Sequence, residues 1–180
     1  VDTSGSMMSP NYLPLDVACA MGLLISKCST GKFKNNVMTF DSTPQFVLIR
    51  DGPVYQRWNQ LRNISWGGST NIQATFELIL SRGKQYGLTQ EDMPKRLWIV
   101  SDMQFNQVNG YGSGSTTNFQ AIEEMYAKSG YTRPQIVFWN VNGASGDFPV
   151  SVDDNGTALI AGFSTVIMKA VLTWDASFSH

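Results

Sequence analysis

The sequence predicts a doubly wound α/β fold, a parallel sheet with helices on both faces. Two observations carry that reading. Leu97-Trp98-Ile99-Val100 and Gln135 to Val141 are continuous apolar runs, the pattern of strands buried on both sides. Segments with apolar residues at three-and-four spacing alternate with these runs, and that alternation builds a parallel sheet between two helical layers.

The elements follow in order. Val1-Asp2 reads as the tail of a β-strand, so the chain is expected to be an N-terminally truncated fragment of a longer protein. Ordinary strand lengths put roughly four to six apolar residues just before Val1. Asp2 to Ser9 is a polar loop. Leu13, Val17, Ala20, Met21, Leu24 and Ile25 mark a helix over Asn11 to Lys27, with Gly31 beyond its end as a stop signal. Asn36 to Phe40 and Gln45 to Ile49 are short strands joined by a turn carrying Asp41, Ser42 and Pro44. Val54 to Ile64 is a helix expected to turn Tyr55, Trp58 and Leu61 inward, and Ile72 to Tyr86 is a stronger one. After the strand ending at Ser101-Asp102 come a helix over Asn118 to Lys128, the strand Gln135 to Val141, a shorter strand Ala158 to Gly162 and a last helix, Thr165 to Leu172. The low-complexity stretch Asn109 to Thr117, with Tyr111 in it, follows the strand that ends at Asp102. It therefore belongs to the same rim, where open α/β sheets bind ligands.

Composition bounds the rest. A chain of 180 residues suits one domain, 1–180. Its 42% hydrophobic content is ordinary, while the 15% charged fraction is low against a typical ~25%, so Ser, Thr, Asn and Gln carry the polar duty. A net charge of −1 gives no reason to expect direct nucleic-acid binding, although Lys27, Lys32 and Lys34 could form a local patch. No apolar run approaches the ~20 residues of a membrane span. Cys19 and Cys28, on and just after one predicted helix, lie roughly 13 Å apart at a helical rise, too far for a disulfide while the helix is intact. Free thiols favour an intracellular, cytoplasmic setting. The sequons Asn63-Ile64-Ser65 and Asn155-Gly156-Thr157 point the other way.

The chemistry sits in three short phrases: Asp2-Thr3-Ser4-Gly5-Ser6, Gly68-Ser69-Thr70-Asn71 and Ser101-Asp102. Alternate residues of a tight loop can aim the Ser4 and Ser6 hydroxyls at one point, with Gly5 permitting the turn. Mg²⁺ takes about six oxygens at ~2.0–2.1 Å and gives up its waters reluctantly. Asp2 then stands where its carboxylate can hold a metal-bound water and orient the serines. A simpler role, Asp2 and Ser6 as helix caps, accounts for the first phrase alone.

This set resembles the metal-ion-dependent adhesion site of von Willebrand factor A-type domains: Asp-x-Ser-x-Ser, a Thr between helices, and an Asp after the central strand. The matching residues are Asp2, Ser4, Ser6, Thr70 and Asp102. The resemblance runs from the first loop to the last helix. It implies a mostly parallel, Rossmann-like sheet with one antiparallel edge strand, and a site at its top. Gly68-Ser69-Thr70-Asn71 and Gly162-Phe163-Ser164 resemble the uncharacterised intracellular branch of large viruses and plants, akin to the ring-capping domain of Ro-type RNA-binding proteins. The missing first half of strand one departs from the pattern.

The resemblance implies Ser4, Ser6 and Thr70 as direct ligands of Mg²⁺ (or Mn²⁺ or Ca²⁺), with Asp2 and Asp102 behind waters. Three neutral hydroxyls leave the ion electrophilic, so a partner protein's Glu or Asp carboxylate is the expected further ligand. Trp66, Ser69, Asn71 and Tyr111 are candidate contacts for that partner. Two alternatives stand beside this reading: a capping domain of a ribonucleoprotein, whose RNA contacts lie in other domains, and a Mg²⁺-dependent hydrolase. The sequence offers no histidine for catalysis except His180 at its end, so Ser–His and zinc chemistry lack their central residue. The phosphate-loop spacing is absent around Gly31-Lys32. Glu123 and Glu124 read as a solvated helix face, and Asp153-Asp154-Asn155-Gly156 as a turn.

Overall fold

Two apolar runs of opposite-facing side chains organise the molecule. The computed structural model describes residues 1–3, 5–8, 11, 13–39, 43–64, 71–102, 115–141 and 156–162. In chain order the elements are α1 (Leu13–Cys28), β1 (Asn36–Met38), β2 (Phe46–Leu48), α2 (Val54–Arg62), α3 (Ile72–Gln85), β3 (Arg96–Ser101), α4 (Ser115–Lys128), β4 (Gln135–Asn140) and β5 (Thr157–Ala161). The expected last helix, Thr165 to Leu172, lies outside the described residues.

β3, β4 and β5 form a parallel sheet with β4 at its centre, in register from Arg96↔Gln135 to Ser101↔Asn140. Successive side chains of a strand point to opposite faces, and here each face has its own helical layer. Val100, Trp139 and Trp98 pack with Leu15, Ala18 and Cys19 of α1 and Leu61 of α2. Ile99, Ile136 and Phe138 pack with Phe76 and Ile79 of α3 and Ile122 and Tyr126 of α4. The doubly wound α/β class is therefore the observed one. Tyr126 crosses the second layer, its hydroxyl donating to the Phe76 carbonyl at 2.9 Å, and burial pushes that hydroxyl's pKa up.

β1 and β2 pair antiparallel, Val37 opposite Val47, as a two-stranded sheet separate from the parallel one, so among the described residues the expected antiparallel edge strand is not joined to that sheet. Arg82 of α3 holds the pair down. Its guanidinium lies 3.4 Å from the Phe46 ring centroid and donates to Asn36 Oδ1 at 3.0 Å. Between β1 and the free edge of β3 lies a half-open cavity of about 690 Å³, lined among others by Val37, Ile25, Gly22 and Val100. Val1 stands in this slot, and the Asp2 amide donates to the Val100 carbonyl at 2.9 Å. The first residues thus run beside β3, as the tail of a strand would.

One inward assignment is corrected. Tyr55 is 63% exposed, whereas Leu61 is buried and Arg57 with it. At ~100° per residue Tyr55 falls about 120° away from Leu61 around the helix, while Arg57, four residues before Leu61, shares its face. Trp58 is half-buried against the first cluster. Cys19 is buried and Cys28 exposed, both as free thiols. Among the described residues no helix is long and apolar enough to cross a membrane.

Candidate metal centre

The carboxyl ends of parallel strands share one rim, and in this chain that rim is polar. β3 finishes on buried Ser101 and is followed by buried Asp102; β4 finishes on buried Asn140, opposite Ser101 in register. Asp2 reaches the same rim from the other side of β3, fixed by the hydrogen bond from its amide to the Val100 carbonyl. Its carboxylate Oδ2 accepts a 2.5 Å hydrogen bond from Ser101 Oγ. Asp2 and Asp102 are only 4% and 2% exposed, so two carboxylates are drawn inside, one bonded to Ser101 and the other on the residue that follows Ser101.

The loop after Asp2 is anchored at its far side as well. Gly5–Met8 is a 3-10 turn whose Met7 is wholly buried in the α1 cluster. Ser6, half-buried, sits between that anchor and Asp2. A Cβ built at Gly5 meets nothing within 4 Å, so the space around this loop does not itself require glycine. Thr3 is buried, and its Oγ1 has no hydrogen-bond partner.

Asn71 caps α3: its Oδ1 accepts from the Ala74 amide at 2.9 Å, which fixes the start of the helix at Ile72, two residues after Thr70 in the sequence. Ser4, Thr70, Trp66, Ser69 and Tyr111 lie outside the described residues, as do Asp41 and Ser42. Among the described residues no group of three or more His, Cys, Asp or Glu gathers to hold a metal ion. The donors present are all oxygens: two carboxylates, the Ser6 hydroxyl and the orphaned Thr3 hydroxyl. That chemistry suits a hard divalent cation.

The sequence motif includes no role for the Ser101 or Asn140 side chains; the signal that marks them is that each is the polar residue following an apolar stretch of its strand. Glu123 is not merely solvated: its Oε1 accepts from Arg133 Nη2 at 2.9 Å and Nε at 3.1 Å. Glu124 pairs with Lys128 on the exposed face.

A family described as a domain of unknown function, DUF7788, matches residues 1–180. The chain belongs to that family. A viral relative of this DUF7788 chain is the uncharacterised protein L728 of Acanthamoeba polyphaga mimivirus, 33% identical over 173 residues. The match covers 96% of this chain and 29% of the relative, so the DUF7788 chain spans under a third of that protein's length. Among solved structures, the manganese-loaded TRAP protein of Plasmodium vivax is similar at a TM-score of 0.48 and 16% identity, over 94% of this chain and 69% of that one.

Proposed function

We propose that this chain is a non-enzymatic, divalent-metal-dependent protein interaction module, with Ser4, Ser6 and Thr70 as direct ligands and Asp2 and Asp102 orienting them. The observation that carries this reading is the buried Asp2 carboxylate, held by Ser101 beside Asp102 at the end of β3. Burying two carboxylates is costly unless cations or hydrogen bonds compensate them. The Asp-x-Ser-x-Ser phrase supplies hydroxyls on the adjoining loop. The ion, when bound, supplies an electrophilic centre for a carboxylate oxygen of a partner.

This chain's own residues then divide the work. Ser101 holds the Asp2 carboxylate in one orientation, and Met7 holds the hydroxyl-bearing loop against the core. The Asn71 cap fixes the start of α3, two residues after Thr70 in the sequence. Mg²⁺ is the proposed ion, with Mn²⁺ and Ca²⁺ as alternatives, and the partner is a protein presenting Glu or Asp. The free thiols accord with an intracellular setting.

Isothermal titration with each of the three ions tests the metal, and partner capture with and without chelator tests the interaction. Asp102→Ala is expected to weaken ion binding at least ~10–100-fold, as loss of an orienting group does, while the fold persists. Unchanged ion binding in Asp102→Ala would overturn the assignment. Turnover of a phosphate ester in Mg²⁺, lost in the same variant, would replace it with the hydrolase reading.

A further inference from the structure

The second half-open cavity, of about 460 Å³, lies far from this chemistry in sequence and is lined by Arg50, Asp51, Gln56, Arg57 and Gln60. Arg57 is the unusual member. It is only 9% exposed, and its Nε is buried with no hydrogen-bond partner. The one hydrogen bond of its guanidinium runs from Nη2 to Asn35 Oδ1 at 3.5 Å, the outer limit for such a bond. A guanidinium cannot shed its proton. Taking it out of water is therefore expensive unless an anion and good hydrogen bonds meet it.

Among the described residues no carboxylate meets it within ion-pair distance. The ion pairs among the described residues are Lys128–Glu124 and Arg133–Glu123. Asp51, the one acid lining the cavity, is exposed and accepts from Asn35 Nδ2 at 3.5 Å. Arg50 faces the same space from the end of β2, and its exposed guanidinium brings the cavity's formal charge to +1. The frame is rigid, because Gln60 bridges the two elements. Its Oε1 accepts from the Arg50 amide at 3.0 Å and its Nε2 donates to the Leu48 carbonyl at 2.8 Å. Arg57 also lies in the first turns of α2, the end of a helix that favours negative charge.

We propose that this cavity binds a phosphate-type oxyanion, with Arg57 as its buried anchor and Arg50 as its outer clamp. The planar guanidinium fork matches phosphate oxygens two at a time, and the poorly satisfied, buried charge of Arg57 favours an anion beside it. Free phosphate and a phosphate monoester on a larger molecule share this chemistry. The cavity lies on the β2–α2 connection and does not depend on the metal reading.

Titration calorimetry and thermal melts with inorganic phosphate, and in parallel with glycerol 2-phosphate, test it. Both are run in chelator at ionic strength matched with chloride. Phosphate is expected to raise the Tm saturably, as a ligand of the folded state does. Arg57→Gln and Arg50→Gln are each expected to weaken binding at least ~10-fold, the scale of one lost charge-assisted hydrogen bond. Arg50→Gln alters an exposed side chain, so it keeps the test valid if Arg57→Gln fails to fold. Asp51→Asn should tighten phosphate binding, because it removes the like charge. Tighter binding of the monoester than of phosphate assigns the ligand to the larger molecule, and equal binding to the free ion. Stabilisation no greater than with chloride, or equal in wild type and both Arg variants, overturns the proposal. So does Asp51→Asn that destabilises the fold and binds no phosphate, since Asp51 would then be the partner of Arg57.

Discussion

Ser101 and Asp2, at opposite sides of 99 residues of chain, meet through a 2.5 Å hydrogen bond from Ser101 Oγ to Asp2 Oδ2. Both are buried, so this contact ties the first loop to the end of β3 at the point where the polar rim begins. It makes the orientation of Asp2 depend on a residue that itself carries no charge.

Ser101→Ala tests that dependence. A hydrogen bond to a charged group contributes about 1.5–3 kcal/mol, and urea denaturation is expected to register a loss of that order. On the proposed function, divalent-ion affinity falls as well, while Ser101→Thr, which restores a hydroxyl, recovers most of it. Loss of stability with ion affinity unchanged would reduce Ser101 to a packing role.

The slot between β1 and β3 holds Val1. Its walls are two strand edges, and the Asp2–Val100 bond already sets a register along one of them. A segment of roughly four to six apolar, β-branched residues joined to Val1 would span a normal strand length and cover apolar walls. The extended chain is expected to melt several degrees above one extended by Gly and Ser to the same length. Equal melting temperatures would mean that the slot does not accept a strand.

What was legible in the sequence follows from what each residue buries. Leu97 to Val100 read as a strand because both its faces are covered: Ile99 meets α3 and α4, while Val100 meets α1. α1 was legible by the same logic applied to a helical period. Arg57 was not, because no local pattern marks a charged side chain for the interior; the tertiary position of α2 decided it over Tyr55. At the rim, Asp2 and Asp102 stood out by motif. The contact that joins them, Ser101 to Asp2, spans too much chain for spacing to reveal it. Gly5 was expected to permit the turn, but it is not among the glycines of positive φ and a Cβ there meets nothing within 4 Å, so this 3-10 turn does not require glycine.

Gly83 offers a sharper test of packing, because two effects of opposite sign meet there. It sits inside α3, where replacing Gly by Ala gains about 1 kcal/mol of helix propensity. A Cβ at that position would lie 2.5 Å from Met93 Sδ and 2.9 Å from Met93 Cε. Met93 is 3% exposed and packs in the cluster of Phe76 and Ile79, so its thioether has little room to withdraw. Overpacking of this kind costs about 1–3 kcal/mol, which outweighs the propensity gain. Gly83→Ala alone is therefore expected to destabilise the fold by up to about 2 kcal/mol. Met93→Ala alone opens a cavity and costs about 2–5 kcal/mol. In the Met93→Ala background the obstacle is gone, and Gly83→Ala should become stabilising. The double-mutant cycle would then show a coupling energy of about 1–3 kcal/mol. Additive effects in urea denaturation would show that Met93 moves aside freely, and that α3 keeps glycine at this position for another reason.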